Sequence, residues 1–376
     1  MMQDTTTANH SIKLFLCGDV MTGRGIDQIL PHAVNPDLYE SYVKDARDYL
    51  KLAESKNGSI QYPVSYSYIW GDALDVWKKM MPPVKIINLE TSLTLYDQPW
   101  KGKGINYRMH PKNVEVLTTA EIDFCSLANN HTLDWERPGL IETMETLQES
   151  NIIFAGAGKN AKEAATPGII TVNDGRVIVL AFGAKNSGIP ESWAAQEELS
   201  GVNILPGKIE VAVDLIIKQL ASVKQKNDIV VFSVHWGDNW GYDIPESHRK
   251  LAHEIIDKAG VDLVHGHSSH HPMGIEVYHK KLIIYGAGDF INDYEGISGY
   301  EKYRGELSLM YFPVINQTNG ELISMKMVPM EVKNFRLNQV SQSDALWMKN
   351  LLNREGRQLG SQVKLDEDNR LDLEWE

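Results

Sequence analysis

Apolar residues recur along the chain in two rhythms. Short runs of four to seven, rich in Val, Ile, Leu and Phe, are separated by longer stretches in which apolar positions recur every three or four residues. The first rhythm marks buried strands and the second amphipathic helices. Strands are predicted at Ile12–Cys17, Val84–Leu89, Phe124–Ala128, Ile152–Phe154, Val177–Phe182, Ile229–Val234 and around Leu263–Val264, and later at Lys281–Gly286, Leu307–Phe312 and Ile323–Val328. Between them Ile209, Val213, Ile216, Leu220 and Val223 step by 4, 3, 4 and 3, which is one face of a helix. Leu140, Met144 and Leu147 repeat the pattern, as do Leu251, Ile255 and Ala259, with Gly260 at the position that ends a helix. A last helix is expected from Ser343 to Glu355, behind capping residues.

Strands alternating with helices define an α/β layered fold with mixed sheets flanked by helices. The strands from Leu307 onward have no helices between them and are expected to be antiparallel. The polar, tyrosine-rich segment 31–68 has weak periodicity and is read as an insertion over one end of the core, with residues 12–331 as one domain. Residues 332–376 are read as a C-terminal helical extension packed on it.

Composition narrows the partners. The 376 residues carry a formal net charge of −13 without a long block of one sign. A general nucleic-acid binder needs a basic face, so that class is set aside. Cys17 and Cys125 lie in apolar runs, and neither a disulfide framework nor a thiolate zinc pattern is present. The stretch MMQDTTTANH has no basic and apolar succession of a secretory signal, and no run reaches the roughly 18 to 20 apolar residues of a membrane span. The expectation is a cytoplasmic protein with no integral membrane segment; its oligomeric state is not legible.

The candidate chemistry sits where the strands end. After the first comes Asp19, after the second Asn88 and Glu90, after the third Asn129, Asn130, His131 and Asp134. His235 ends the Ile229 run, and LVHGHSSHHPMG holds four of the twelve histidines. Asp289 and Asp293 follow the Lys281 run. Ligands bind at the carboxyl ends of strands in open α/β sheets, so this set predicts one shared polar site. Carboxylate, amide oxygen and imidazole together suit Mn, Zn or Fe; acid/base work by histidine is the competing use. His267 and His270 are read as facing the site, and His265 as pointing the other way. Arg24, Lys103 and Arg108 are candidate clamps for an anionic substrate, while Trp70, Trp100, Trp236 and Trp240 are candidate apolar walls.

The motifs GDVM, NLE, ANNHTLD with Gly139, AGAG, SVHWG, GHSSH and GAGDFIND resemble, in order and spacing over about residues 12 to 331, the CapA family of bacterial poly-γ-glutamate capsule-synthesis proteins, which has a calcineurin-like metallophosphoesterase fold. The resemblance implies a four-layer αββα sandwich. It implies Asp19, Glu90, Asn130, His235, His267 and His270 as metal ligands, with Glu90 as the bridging acid. The resemblance makes His131 the acid near the leaving oxygen; from residue type and position, Asp19 is a further catalytic candidate, and Asn88, Arg24, Lys103 and Arg108 are candidate substrate-binding residues. Met21 stands where a metallophosphoesterase has histidine, Ser268 and Ser269 stand where the family has His-Pro, and Asp289 where it has Asn. One divalent ion, two, or none are therefore all compatible. The function expected is a metal-assisted hydrolase of a phosphoester or of a γ-glutamyl, peptide-like substrate, small or polyglutamyl. The alternatives are a metal-free acid/base isomerase and a non-catalytic accessory protein of polymer synthesis.

Overall fold

A computed structural model describes residues 11–172 and 175–376; the MMQDTTTANH stretch lies outside the described residues. Two mixed sheets pack face to face. In the ten-stranded sheet the first strand, Ser11–Val20, is central. On one side it pairs in parallel with Val84–Leu89, followed by Phe124–Ser126 and Ile153–Ala155. On the other it pairs antiparallel with Leu307–Asn316, then Leu322–Val332. The six-stranded sheet runs Ile275–Tyr278, Lys281–Ile284, Leu263–His267, Ile229–His235, Gly175–Gly183, Gly168–Val172.

The alternation of side chains explains the four layers. Val177, Val179, Ala181, Val231, Leu263 and Ile284 turn inward and join the core shared with the first sheet. Their neighbours Ile178, Leu180, Phe182, Val230, Phe232 and Val264 turn outward under helices Ile209–Ala221 and Glu246–Ala259, where Val213, Ile216, Leu220, Leu251 and Ile255 cover them. Such strands, buried on both faces, read as continuous apolar runs. Beyond the larger sheet, Trp77 of helix Ala73–Met80 and Trp70 pack on Phe15 and Phe290. The fold is thus helix, sheet, sheet, helix, as expected.

Both cysteines are buried and unpaired. Residues 31–68 carry one helix, Arg47–Asn57. The C-terminal extension is more than the helix expected. Helix Gln342–Gly356, capped by Ser341, leads into a hairpin of Ser361–Leu365 and Leu371–Trp375 that adds to the larger sheet beside Leu322–Val332. Val363, Leu371 and Leu373 are buried there, an alternation too short and too charged around it to read as strand. No helix among the described residues is long and apolar enough to cross a membrane.

Candidate metal centre

Backbone pairing brings the polar strand ends together. Asp19 lies opposite Asn88 in the parallel pair formed with Val84–Leu89, and opposite Asp289 in a short parallel pair with Asp289–Ile291. That second pairing requires glycine at position 18, because a Cβ there would sit 1.6 Å from the Gly288 carbonyl oxygen. The amide of Asp19 donates to the same carbonyl at 3.0 Å. In the other sheet His235 lies opposite His267. Both turn toward the first sheet, as their parity with Val231 and Leu263 demands.

His265 shares that parity, which corrects the expectation that it points the other way. It lies two residues back on the same face, and its Nε2 stands 2.7 Å from the Cys17 carbonyl oxygen. One step from the strand end is enough to turn an imidazole into a tie between the sheets.

The centre itself is buried and crowded. His235 Nδ1 and His267 Nδ1 are 2.8 Å apart, and each is 3.9 Å from Asp19 Oδ1. These three groups lie close enough together that they could hold one ion. Asp19 also forms a second such trio with His270 and Asp289, whose Nδ1 and Oδ1 are 2.9 Å apart. Asn292 donates to the other Asp289 oxygen at 2.8 Å and fixes it. Glu90 lies outside both trios, 3.8 Å from His131 Nε2 and 3.9 Å from His235 Nε2. Its Oε2 is buried without a hydrogen-bond partner among the described residues. Asn130 Oδ1 reaches His235 Nε2 at 3.1 Å.

Burial governs the electrostatics. It pushes the Asp19 carboxyl up to about 8, aided by the charge of Asp289, and carries Glu90 well above the carboxylate range. It holds the His235 and His267 imidazoles neutral, well below their usual range. Burial also opposes the charged form of His270, but Asp289 outweighs it and the net shift is upward. Crowded acids forced to keep protons beside neutral imidazoles are the donor set a divalent cation would relieve. By that test the residues fit a metal, with Asp19, His235 and His267 on one side and Asp19, His270 and Asp289 on the other.

His131 sits at the edge of this centre. Its Nδ1 is 2.6 Å from Asp134 Oδ2, and burial lowers it to about 4. Lys103 closes the loop, with its ammonium 2.9 Å from the other Asp134 oxygen and bonded to the Asn130 carbonyl.

A cleft of about 680 Å³ opens over these groups, lined by Asn130, His131 and His270 on its floor and by Lys103, Tyr107, Trp240, Tyr294 and Tyr300 around them. Arg24 also lines it, but its guanidinium is taken by two buried acids, Asp293 and Glu40. Arg108 is turned elsewhere, donating to the Tyr96 and Asn35 carbonyls over the Trp135 ring. Asn88 has both ends engaged, donating to Asp19 at 2.7 Å and accepting from Asn129 at 3.1 Å. It orients Asp19. Of the tryptophans, Trp240 alone lines the cleft; Trp70 and Trp236 are core, and Trp100 packs on Trp193. Asp289 is the member of the centre that residue types at strand ends named without assigning a role. The repeated Gly-Asp of residues 18–19 and 288–289 was its signal.

The geometry belongs to a class of α/β sandwich proteins with a carboxylate–imidazole centre at the strand ends. Over residues 13–294 the sequence matches the family described as bacterial capsule synthesis protein PGA_cap. The chain is 44% identical over 365 residues to a probable polyglutamine synthesis accessory protein of Mycobacterium tuberculosis, covering 96% of each. It is 26% identical to the PGA biosynthesis protein CapA of Bacillus subtilis, covering 81% of this chain and 69% of that one, and 25% identical to the capsule biosynthesis protein CapA of Bacillus anthracis, covering 76% and 61%. A crystal structure titled as a novel phosphatase from Mycoplasma pneumoniae aligns with a TM-score of 0.47 at 12% identity, over 88% of this chain and 95% of that one. The protein belongs to the PGA_cap family, the CapA-related proteins of capsule and polyglutamate synthesis.

Proposed function

We propose that this protein is a metal-assisted hydrolase that acts on a phosphoester or on a γ-glutamyl, peptide-like substrate in polyglutamate or capsule synthesis. The observation that carries this reading is the placement of Asp19, fully buried and shared between two trios of nitrogen and oxygen donors, one of which includes His270 on the floor of an open cleft. Mn, Zn or Fe bound there, as one ion or two, would supply a Lewis acid and lower the pKa of a bound water. Asp19, His235 and His267, with His270 and Asp289, would hold it. Asn88, Asn292 and Ser233 fix the ligands: Ser233 Oγ lies 3.0 Å from His267 Nε2 and sets which imidazole nitrogen faces inward. His131, oriented by Asp134 and Lys103, would handle the proton of the leaving oxygen.

A second reading has support in the relatives named accessory proteins: the cleft would bind polymer or precursor without cleaving it. One experiment separates the two. Protein purified without chelator or affinity metal is analysed for elements beside a His235→Ala/His267→Ala variant, then given phosphoester and γ-glutamyl substrates. Near-stoichiometric Mn, Zn or Fe lost in the variant, with metal-dependent turnover, is expected. Metal without turnover of any substrate would favour the accessory reading, and a well-folded, metal-free wild type would end the hydrolase one.

A further inference from the structure

Two tyrosines arch over the centre. The Tyr107 ring lies on His131, centroids 3.8 Å apart and planes 21° apart. The Tyr294 ring meets His270 edge-on, at 5.4 Å and 83°. Between these two imidazoles the phenol oxygens meet at 2.7 Å, and both residues line the cleft.

Two phenols carry two hydroxyl protons, and the bond between them uses one. The other has no acceptor among the described residues, so it is available to whatever fills the cleft. Behind the pair stands the Arg24 guanidinium, 4.8 Å from the Tyr107 centroid and 5.6 Å from that of Tyr294. Its guanidinium is held by Asp293, Glu40 and the Tyr49 hydroxyl, and burial with the nearby acids keeps both phenols protonated and neutral. Of the other cations lining the cleft, Lys103 is held by Asp134 and Arg304 by Glu306 and Asp344, while Lys56 is exposed.

We propose that the Tyr107–Tyr294 pair binds the substrate as a neutral hydrogen-bond donor, holding an oxygen that gathers negative charge at a tetrahedral phosphorus or carbon. The proposal rests on the hydrolase reading above and names the group that binds the reacting centre from the cleft side. An uncharged donor suits an oxygen whose charge develops during reaction, because its strength grows as that charge appears.

Orthovanadate, a tetrahedral oxyanion, is the probe, titrated calorimetrically into the full chain with and without Mn²⁺. The proteins are wild type, Tyr107→Phe, Tyr294→Phe and the double variant, each also titrated with Mn²⁺ alone. In either single variant the surviving phenol still donates, so affinity for vanadate falls by about threefold at most. The double variant has no donor left and binds about tenfold or more weakly. Mn²⁺ affinity and melting temperature stay near wild type in the double variant, since removing both partners leaves no hydroxyl unpaired. Vanadate binding by the double variant equal to wild type overturns the proposal, as does a wild type that binds no vanadate in either condition. Single variants that lose as much as the double and melt earlier also overturn it, because the pair would then be structural. A wild type that takes up no Mn²⁺ and holds no Zn or Fe in the elemental analysis above is the separate failure of the hydrolase reading, and the metal-free vanadate titration still decides the role of the pair.

Discussion

Replacing Asp19 with asparagine should strengthen the metal-free fold and abolish its response to metal. Without an ion, burial raises the Asp19 carboxyl to about 8 from an ordinary 3.8. At pH 7 the folded chain must therefore keep a proton that the unfolded chain releases, which costs about 4 kcal/mol at 1.36 kcal/mol per pH unit. Asparagine removes that cost. It can accept from Asn88 or from the Ser268 amide, which bond different oxygens of Asp19, but not from both, a loss of about 1 kcal/mol. The net expectation in chelator is a gain of about 3 kcal/mol. The pH dependence fixes the sign. A carboxyl raised in the fold stabilises fully below its unfolded pKa and loses that contribution as pH rises through the folded one. Wild type should thus weaken from pH 4 to 8 relative to Asp19→Asn. Metal acts oppositely: an ion at a hundred times its Kd stabilises wild type by about 2.7 kcal/mol, and the variant by nothing, since both trios contain Asp19. Urea unfolding of both proteins, with EDTA and with Mn²⁺, measures all four stabilities. A variant weaker than wild type in EDTA, together with equal stabilisation of both by Mn²⁺, would refute the reasoning.

Two further perturbations test the surroundings. Arg24→Met leaves Asp293 and Glu40 buried without their cation, and should cost about 3–5 kcal/mol in denaturant unfolding; a loss under about 1 kcal/mol would return Arg24 to the role of a free substrate clamp. His248 stacks on Trp236 at 4.3 Å, and burial lowers it to about 4 from 6.5. An imidazole depressed in the fold contributes stability above its unfolded pKa and loses it as pH falls, so wild type should lose up to about 3 kcal/mol relative to His248→Phe between pH 7 and pH 4. Parallel pH profiles of the two proteins would contradict this.

The layers and most of the strand ends were legible because they depend on local pattern. A continuous apolar run followed by a polar residue states both a buried strand and the place where it opens. Partnership was not legible. Arg24 and Arg108 read as free cations, yet the acids and carbonyls that claim them come from distant loops. Asn88 read as a substrate group because nothing local says that Asp19 lies opposite. His265 is different: its parity with His267 was visible, and period-two alternation alone would have placed both on one face. Tyr107 and Tyr294 are ordinary among fifteen tyrosines; only the fold sets one on His131 and the other on His270.

The central place of the first strand bears on how the chain is made. Synthesis delivers Ser11–Val20 early, but its antiparallel partner, Leu307–Asn316, and its companion at the site, Asp289–Ile291, arrive some hundreds of residues later. At ribosomal rates of about 5–20 residues per second, one hydrogen-bonding edge of the strand waits for tens of seconds or about a minute for the chain that will pair with it. A nascent chain stopped anywhere before Asp289 holds a half-built sheet and an incomplete ligand set, so the site forms only when the late strands close onto the earliest one.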